Sequence, residues 1–355
     1  MNDKAMKFRD RYFKRKRIEV DCEVITPMFL GNANQEAEWR PEPLKGLFRY
    51  WWRILHSALP QVGQTDMREL LHEESALFGF AGDNEAAGSG KSLVGITVLG
   101  AEKPCVEKFP FVETIDHPET DRGKIDPLLY LAGIGLMQNG QVKHPYFRPS
   151  SCFSFYVDFP EKDSDSINGV LALLQAFGGL GGRSRNGWGS FQVVRGGLER
   201  EDVLRVLGEA TRNWKDGFDK DYPNCLGKDP KPLLWKTKGK GTWQDAMREL
   251  ADAYVGVRAR EVKGLRSLHP DNGQRHLLGL PLTHHNPQGP GRYSSPLRFS
   301  VRKHGSKYFG LAFHLPQSFP DGTAKLSREQ QLEVWGIVHR KLDVLLNRAS
   351  YEECL

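Results

Sequence analysis

Between Phe177 and Phe191 the chain reads FGGLGGRSRNGWGSF, with six glycines in the twelve positions Gly178–Gly189 and Arg183 and Arg185 among them. Glycine loses more backbone entropy on folding than any other residue, so a packed core has no use for such density. A backbone without Cβ atoms instead allows unusual dihedrals and close approach by a partner. Successive bare N–H groups can form an anion-binding concavity, which neighbouring guanidiniums strengthen. The run before the loop, Val170–Phe177, reads as a helix, and Phe191–Val194 reads as a strand. That order excludes a P-loop, which needs a strand before it, a helix after it and a Gly-Lys-Ser/Thr ending. The dinucleotide-binding spacing fails at Ser184, and the GxSxG nucleophile elbow fails at Asn186. Trp188 and the flanking phenylalanines set the segment apart from a flexible linker.

A chain of 355 residues has room for two domains with separate cores. Five cysteines are scattered singly, with no CxxC pair, as expected for reduced thiols in a cytoplasmic protein. No apolar run approaches a membrane span, and no signal-peptide pattern follows the start. Residues 1–17 hold eight Lys/Arg against two Asp, which accounts for the whole chain's net charge of +6. The remainder is formally balanced, so binding to a polyanion would rest on local clusters and a basic N-terminal arm.

The pattern along the chain predicts a strand at Ile18–Ile25, a helix from about Leu44 to Leu59, and strands at Leu93–Leu99 and Ser154–Phe159. The passage from about Glu102 to Arg148 reads as irregular. With the helix and strand around the glycine loop, the order is β, α, β, β, α, β, that of a ferredoxin-like or RNA-recognition fold. A second set follows: helices at Glu199–Asn213 and Trp243–Val257, strands at Leu277–Leu282, Leu297–Val301 and Tyr308–His314, and a Lys/Gly/Pro-rich connection at Pro223–Lys240. A last helix is opened by the capping box Ser327/Gln330. The expected class is α+β, with two ferredoxin-like domains of antiparallel sheets spanning 1–198 and 199–355.

The helix PLKGLFRYWWRILHSAL has an apolar stripe of Leu44, Leu47, Phe48, Trp51, Leu55 and Ala58. Lys45, Arg49 and Arg53 recur at four-residue spacing on another face. Like charges so placed repel each other, which an external polyanion would relieve. Candidate phosphate contacts are therefore Lys45, Arg49 and Arg53, together with Gly181, Gly182, Arg183, Ser184, Arg185, Asn186 and Trp188 of the loop. Trp188 either stacks on a base or anchors the loop to the core. His269, His276, His284 and His285 lack metal-ligand spacing, so no metal and no cofactor is expected. His56 is a possible general acid or base on a ribose hydroxyl, although a structural histidine near a helix end fits equally.

Two segments resemble a known family. TPMFLGNANQEAEWRPEPLKGLFRYWWRIL, Thr26–Leu55, is similar to the N-terminal signature of RAMP-superfamily subunits of type III-B CRISPR (Cmr) complexes, in the subunit numbered one. The matching residues are Thr26, Pro27, Phe29, Leu30, Gly31, Arg40, Pro41, Lys45, Gly46, Arg49, Trp51, Trp52 and Arg53. The glycine loop resembles the superfamily's loop before its last strand, and LLGLPL and RYSSPLRFSV are similar to the second-domain pattern. Asn186 stands where a further basic residue is common. The resemblance implies a cytoplasmic, non-catalytic, RNA-binding subunit of a ribonucleoprotein in antiviral defence. Its partners would be CRISPR guide RNA, target RNA and other RAMP subunits, with contact to the guide's 3′ side and the matching target region. Two alternatives are a metal-independent CRISPR-repeat endoribonuclease using His56, and a protein-only scaffold.

Overall fold

The computed structural model describes residues 14–58, 67–81, 89–120, 123–133, 135–138, 140–261, 273–279, 293–319 and 326–355. The N-terminal unit comprises β1 (Arg15–Val24), α1 (Pro41–Ala58), α2 (Met67–Phe78), β2 (Gly95–Gly100), α3 (Pro127–Ala132), β3 (Cys152–Pro160), α4 (Ser164–Phe177) and β4 (Phe191–Arg195). Its sheet has the order β4-β1-β3-β2, and every pairing is antiparallel. The period of two in β1 puts Val20, Cys22 and Val24 inside and Glu19, Asp21 and Glu23 on the opposite face. Phe153, Phe155, Val157 and Phe159 of β3 line the same inner face. There they meet the apolar stripe of α1 and the nearly all-apolar α4, with Phe48 edge-on to Phe155 at 6.1 Å.

After α5 (Arg200–Glu209) the pattern repeats as β5 (Leu234–Lys236), α6 (Trp243–Val255), β6 (Leu297–His304), β7 (Lys307–His314), α7 (Arg328–Leu345) and β8 (Asn347–Arg348). The order is β6-β7-β5-β8. Read from the other edge, its strands run fourth, first, third, second, as in the first unit. Both units are thus βαββαβ folds of the ferredoxin-like type, and the α+β expectation agrees with the structure. The capping box at the start of α7 is formed, with Gln330 N donating to Ser327 Oγ and Ser327 N to Gln330 Oε1.

Several elements differ from the sequence expectation. Three basic residues assigned to an N-terminal arm belong to β1 and have partners. Arg17 donates twice to Asp158 (2.8 and 3.1 Å), Arg15 donates to the Leu93 carbonyl, and Lys16 lies 3.5 Å from Glu161. Residues 1–13 lie outside the described residues. The connection at Pro223–Lys240 contains β5 and the strand Leu226–Asp229, because Leu233, Leu234 and Trp235 are buried despite the surrounding lysines. Gly273–His276 is one helical turn and Leu277–Leu278 a turn, in place of the start of the expected strand; residues 280–282 are outside the described set. The irregular passage holds α3, whose N-cap Asp126 accepts from the N–H groups of Leu128 and Leu129.

The two units interlock. Phe313 of β7 stacks on Phe177 at 4.4 Å, and Trp188 of the glycine loop enters the apolar cluster of the second unit. Arg302 of β6 is 3% exposed; its Nε donates to the Ala176 carbonyl at the end of α4, and its Nη1 to that of Phe191 at the start of β4. One buried side chain of the second unit therefore ties together the two ends of the loop in the first.

Candidate nucleic-acid interface

The glycine loop is an ordered, folded-back turn. Gly181, Gly187 and Gly189 have φ of +90°, +87° and +61°, and Arg183 shares the left-handed region at +57°. A Cβ on Gly181 would run into the Phe29 carbonyl, and one on Gly189 into that of Leu180. Density of glycine here is thus a steric requirement of chain reversal against β1's exit loop. Many loop amides are used internally: Leu180 N donates to Gly189 O (2.9 Å), Gly182 N to Phe29 O (2.8 Å) and Asn186 N to Arg183 O (2.8 Å). The amides of Gly181, Arg183 and Arg185 have no acceptor among the described residues.

Downstream the loop is fixed by a hydroxyl network. Thr26 Oγ1 and Ser190 Oγ both donate to the Gly187 carbonyl, while Ser190 Oγ accepts from Val301 N at 2.9 Å. Phe299 N donates to Arg185 O at 3.0 Å, so the loop also pairs with β6.

Beneath the loop lies a cleft of about 600 Å³ between the two units. Gly181, Gly182, Ser184 and Arg185 form one wall. Pro43, Gly46, Leu47, Tyr50 and Arg53, at helical spacing, form a second, and Arg298 with Phe299 from β6 a third. Arg40 and His144 also face it, and no Asp or Glu does among the described residues. A cleft lined by several cations and by no acid among the described residues concentrates a positive field.

The predicted residues divide accordingly. Gly181, Gly182, Ser184, Arg185 and Arg53 line the cleft. Lys45 and Arg49 fall on the neighbouring helix face, towards α2. The charge on that face is partly neutralised within the protein by Glu74 of α2, a residue 1% exposed. Arg49 Nε bonds one of its carboxylate oxygens, and Arg53 Nε lies 3.0 Å from the other. An acid from a different helix supplies the neutralisation that the helix itself lacks. Lys45 has no such pairing among the described residues, and partial burial with Arg49 nearby pulls its pKa down.

Arg183 is exposed but reaches over Gly133 at the end of α3. Asn186 spends its Nδ2 on the Leu131 carbonyl at 2.9 Å. Trp188 is 0% exposed, with Phe29, Phe109 and Trp243 at 5.7, 5.3 and 5.9 Å between ring centres. It is the anchor of the loop, and burial denies it a base to stack on. Arg298 and Tyr50 were missed in the sequence. The strand signal at Leu297–Val301 put Arg298 on a polar alternating face, but that face is buried against the N-terminal unit.

His56 lies away from this cleft. Its Nδ1 donates to the Trp52 carbonyl (3.0 Å), its ring stacks on Trp52, and its Nε2 faces Ser166 Oγ at 3.3 Å. Burial lowers its pKa to about 4. A histidine kept neutral and held by its own helix backbone lacks the near-neutral pKa that suits a general acid or base. Among the described residues no group of three or more His, Cys, Asp and Glu could hold a metal ion. His276 is buried; His269, His284 and His285 lie outside the described residues. The open face of the first sheet does not offer the base-stacking platform of RNA-recognition sheets. Tyr156 on that face contacts Glu19 and Arg17, amid Asp21 and Asp158. No helix of the described residues is long and apolar enough to cross a membrane.

Comparison with known proteins agrees with this geometry. The chain is 24% identical over 324 residues to CRISPR system Cmr subunit Cmr1-1 of Pyrococcus furiosus, covering 84% of this chain and 87% of that protein. The fold matches the crystal structure of Cmr1 from Pyrococcus furiosus in its apo form, with TM-score 0.50, 17% identity, and coverage of 93% and 95% of the two chains. It also matches a chain in a cryo-EM structure of the type III-B Cmr-beta complex bound to cognate target RNA and AMPPnP. There the TM-score is 0.52 and the identity 11%, over 92% of this chain and 98% of that one. The RAMP superfamily model matches residues 21–192, from the middle of β1 into β4 and across the whole glycine loop. In its paired ferredoxin-like units and the helix–glycine loop–strand junction, the chain is similar to the RAMP superfamily, whose model matches just under half of it.

Proposed function

We propose that this chain is a non-catalytic, RNA-binding subunit of a type III-B (Cmr) CRISPR effector complex, acting in the cytoplasm in antiviral defence. The observation that carries the proposal is the acid-free cleft under the glycine loop, where Arg185, Arg53 and Arg298 converge from three elements. In this reading Gly181, Gly182 and Ser184 let an RNA backbone approach closely, and Arg185 and Arg53 contact its phosphates. Lys45, Arg49 and Arg183 extend the basic rim, while Asn186 and Trp188 hold the loop in shape. Contacts to phosphate carry no sequence information, so sequence would be read by pairing between guide and target RNA. The guide's 3′ side and the matching target region are the proposed ligands, and other RAMP subunits the protein neighbours. We divide the chain at 198/199, with the cleft along the junction. The similarity to Cmr1-1 supports the assignment, and the neutral His56, turned away from the cleft, supports a non-catalytic role there.

Single-stranded RNA carrying photoreactive nucleotides, crosslinked to the full-length chain, tests this reading. Adducts are expected on residues 179–185 and 43–53, with the RNA left uncut. Adducts confined to the open sheet face around Tyr156, or cleavage lost in His56→Ala, would refute it.

A further inference from the structure

Two arginines of β6, Arg298 and Arg302, are both nearly fully buried, at 4% and 3% exposure, and neither pairs with a carboxylate among the described residues. Their surroundings differ. Arg302 directs two nitrogens at the carbonyls of Ala176 and Phe191, so the architecture of the loop accounts for it. Arg298 lines the cleft, and its Nη2 donates to Tyr50 Oη at 2.8 Å. The guanidinium carbon sits 5.3 Å from the centre of the Tyr50 ring. Its Nε is buried and has no acceptor. Burial lowers its pKa to about 10, opposed by Tyr50 and reinforced by the like charge of Arg185, and at neutral pH it remains a cation.

A buried cation without a counter-charge is unfavourable to folding, and an unused donor beside it adds to the burden. The arrangement makes sense when an anion completes it. We propose that Arg298 is the deep phosphate-binding residue of the cleft, its missing counter-charge being supplied by an RNA phosphodiester that also meets Arg185. Tyr50 Oη holds one end of the guanidinium at the wall of the cleft. This rests on the reading of the cleft as an RNA interface. Arg298 comes from the second unit and the glycine loop from the first, so a phosphate held between them joins the two units. RNA binding then tightens their docking.

The test uses the full-length chain, a labelled single-stranded RNA and the variants Arg298→Met and Arg298→Lys. Arg298→Met should bind about tenfold more weakly, the loss of one good charge-assisted contact. The slope of log affinity against log salt should flatten by about 0.7, one phosphate's worth. Its melting temperature without RNA should equal or exceed that of the wild type, while the rise on adding RNA shrinks. Arg298→Lys keeps the charge and should keep the wild-type slope with weaker binding. Wild-type affinity and slope in Arg298→Met would overturn the proposal and leave the RNA reading intact. An Arg298→Met chain that unfolds without RNA, or a flattened slope in Arg298→Lys, would overturn it too. Failure of the wild-type chain to bind RNA at all would instead refute the RNA reading.

Discussion

Replacing Trp188 by alanine separates the two roles that a tryptophan in a glycine loop can have. The side chain is fully buried in an aromatic nest of Phe29, Phe109 and Trp243 and does not line the cleft itself. A buried tryptophan removes on the order of 200 Å² from water. At about 25 cal/mol per Å² that is roughly 5 kcal/mol of transfer free energy. Retaining the alanine methyl and partial collapse of the site bring the expected loss to about 3–5 kcal/mol. The indole Nε1 has no acceptor, so Trp188→Phe sheds an unpaired donor along with part of the ring. Its cost should fall below about 2 kcal/mol. Urea unfolding measures both variants, and RNA titrations under conditions where each is folded complete the comparison. A lowered unfolding midpoint for Trp188→Ala with an unchanged salt slope for RNA is the expected result. Unchanged stability with RNA affinity lost would mean that the indole stacks on a base, and the anchoring argument would be wrong.

Four further outcomes follow from the geometry. Glu74→Gln frees Arg49 and Arg53, which are about one-third exposed, so RNA affinity at low salt should rise while stability drops by about 1–3 kcal/mol; no change in either would show that the carboxylate neutralises nothing. His314 and His339 are buried and share a 3.1 Å hydrogen bond, and burial holds His314 near a pKa of about 3, His56 near about 4, and His339 well below its ordinary value. Their neutral forms belong to the folded state, so their contribution is complete above about pH 6.5 and is lost as pH falls towards 3, at up to about 1.4 kcal/mol per pH unit for each histidine. Urea midpoints should be level from pH 7.5 to 8.5 and lower at pH 5, whereas a level curve down to pH 5 would contradict the burial argument. Gly189→Ala drives a methyl into the Leu180 carbonyl at a left-handed position and should cost at least about 2 kcal/mol in thermal or urea unfolding. Gly208→Ala, with open space around it in α5, should be neutral or stabilising.

The sequence was most legible where a single local rule decided the outcome. Alternation in Ile18–Ile25, the stripe of α1 and the Ser327/Gln330 box each depend on residues within a turn or two of each other, and each formed as read. The βαββαβ order then placed the glycine loop between α4 and β4 before any contact was known. Legibility failed where a distant residue changed the meaning of a local pattern. Lys45, Arg49 and Arg53 looked like a row of unneutralised charge because Glu74 is 21 residues beyond Arg53 and arrives only when α2 folds back. Arg298 gave no signal of its own, because the alternation of β6 does not say that the N-terminal unit covers its polar face. The lysine-rich stretch Pro223–Lys240 read as a connection because its apolar residues, among them Leu226, Leu233, Leu234 and Trp235, are too few and too clustered to show a period.

The most direct test of the central claim is the salt dependence of single-stranded RNA binding by the wild-type chain and by Arg53→Ala combined with Arg185→Ala. Both residues line the cleft, and each is assigned one phosphate. The account predicts that the slope of log affinity against log salt flattens by about 1.4, at 0.7 per phosphate released, with the chain still folded although loss of Arg53 beside buried Glu74 costs about 1–3 kcal/mol. An unchanged slope in the folded double variant would contradict it, because RNA would then be held somewhere other than the cleft beneath the glycine loop.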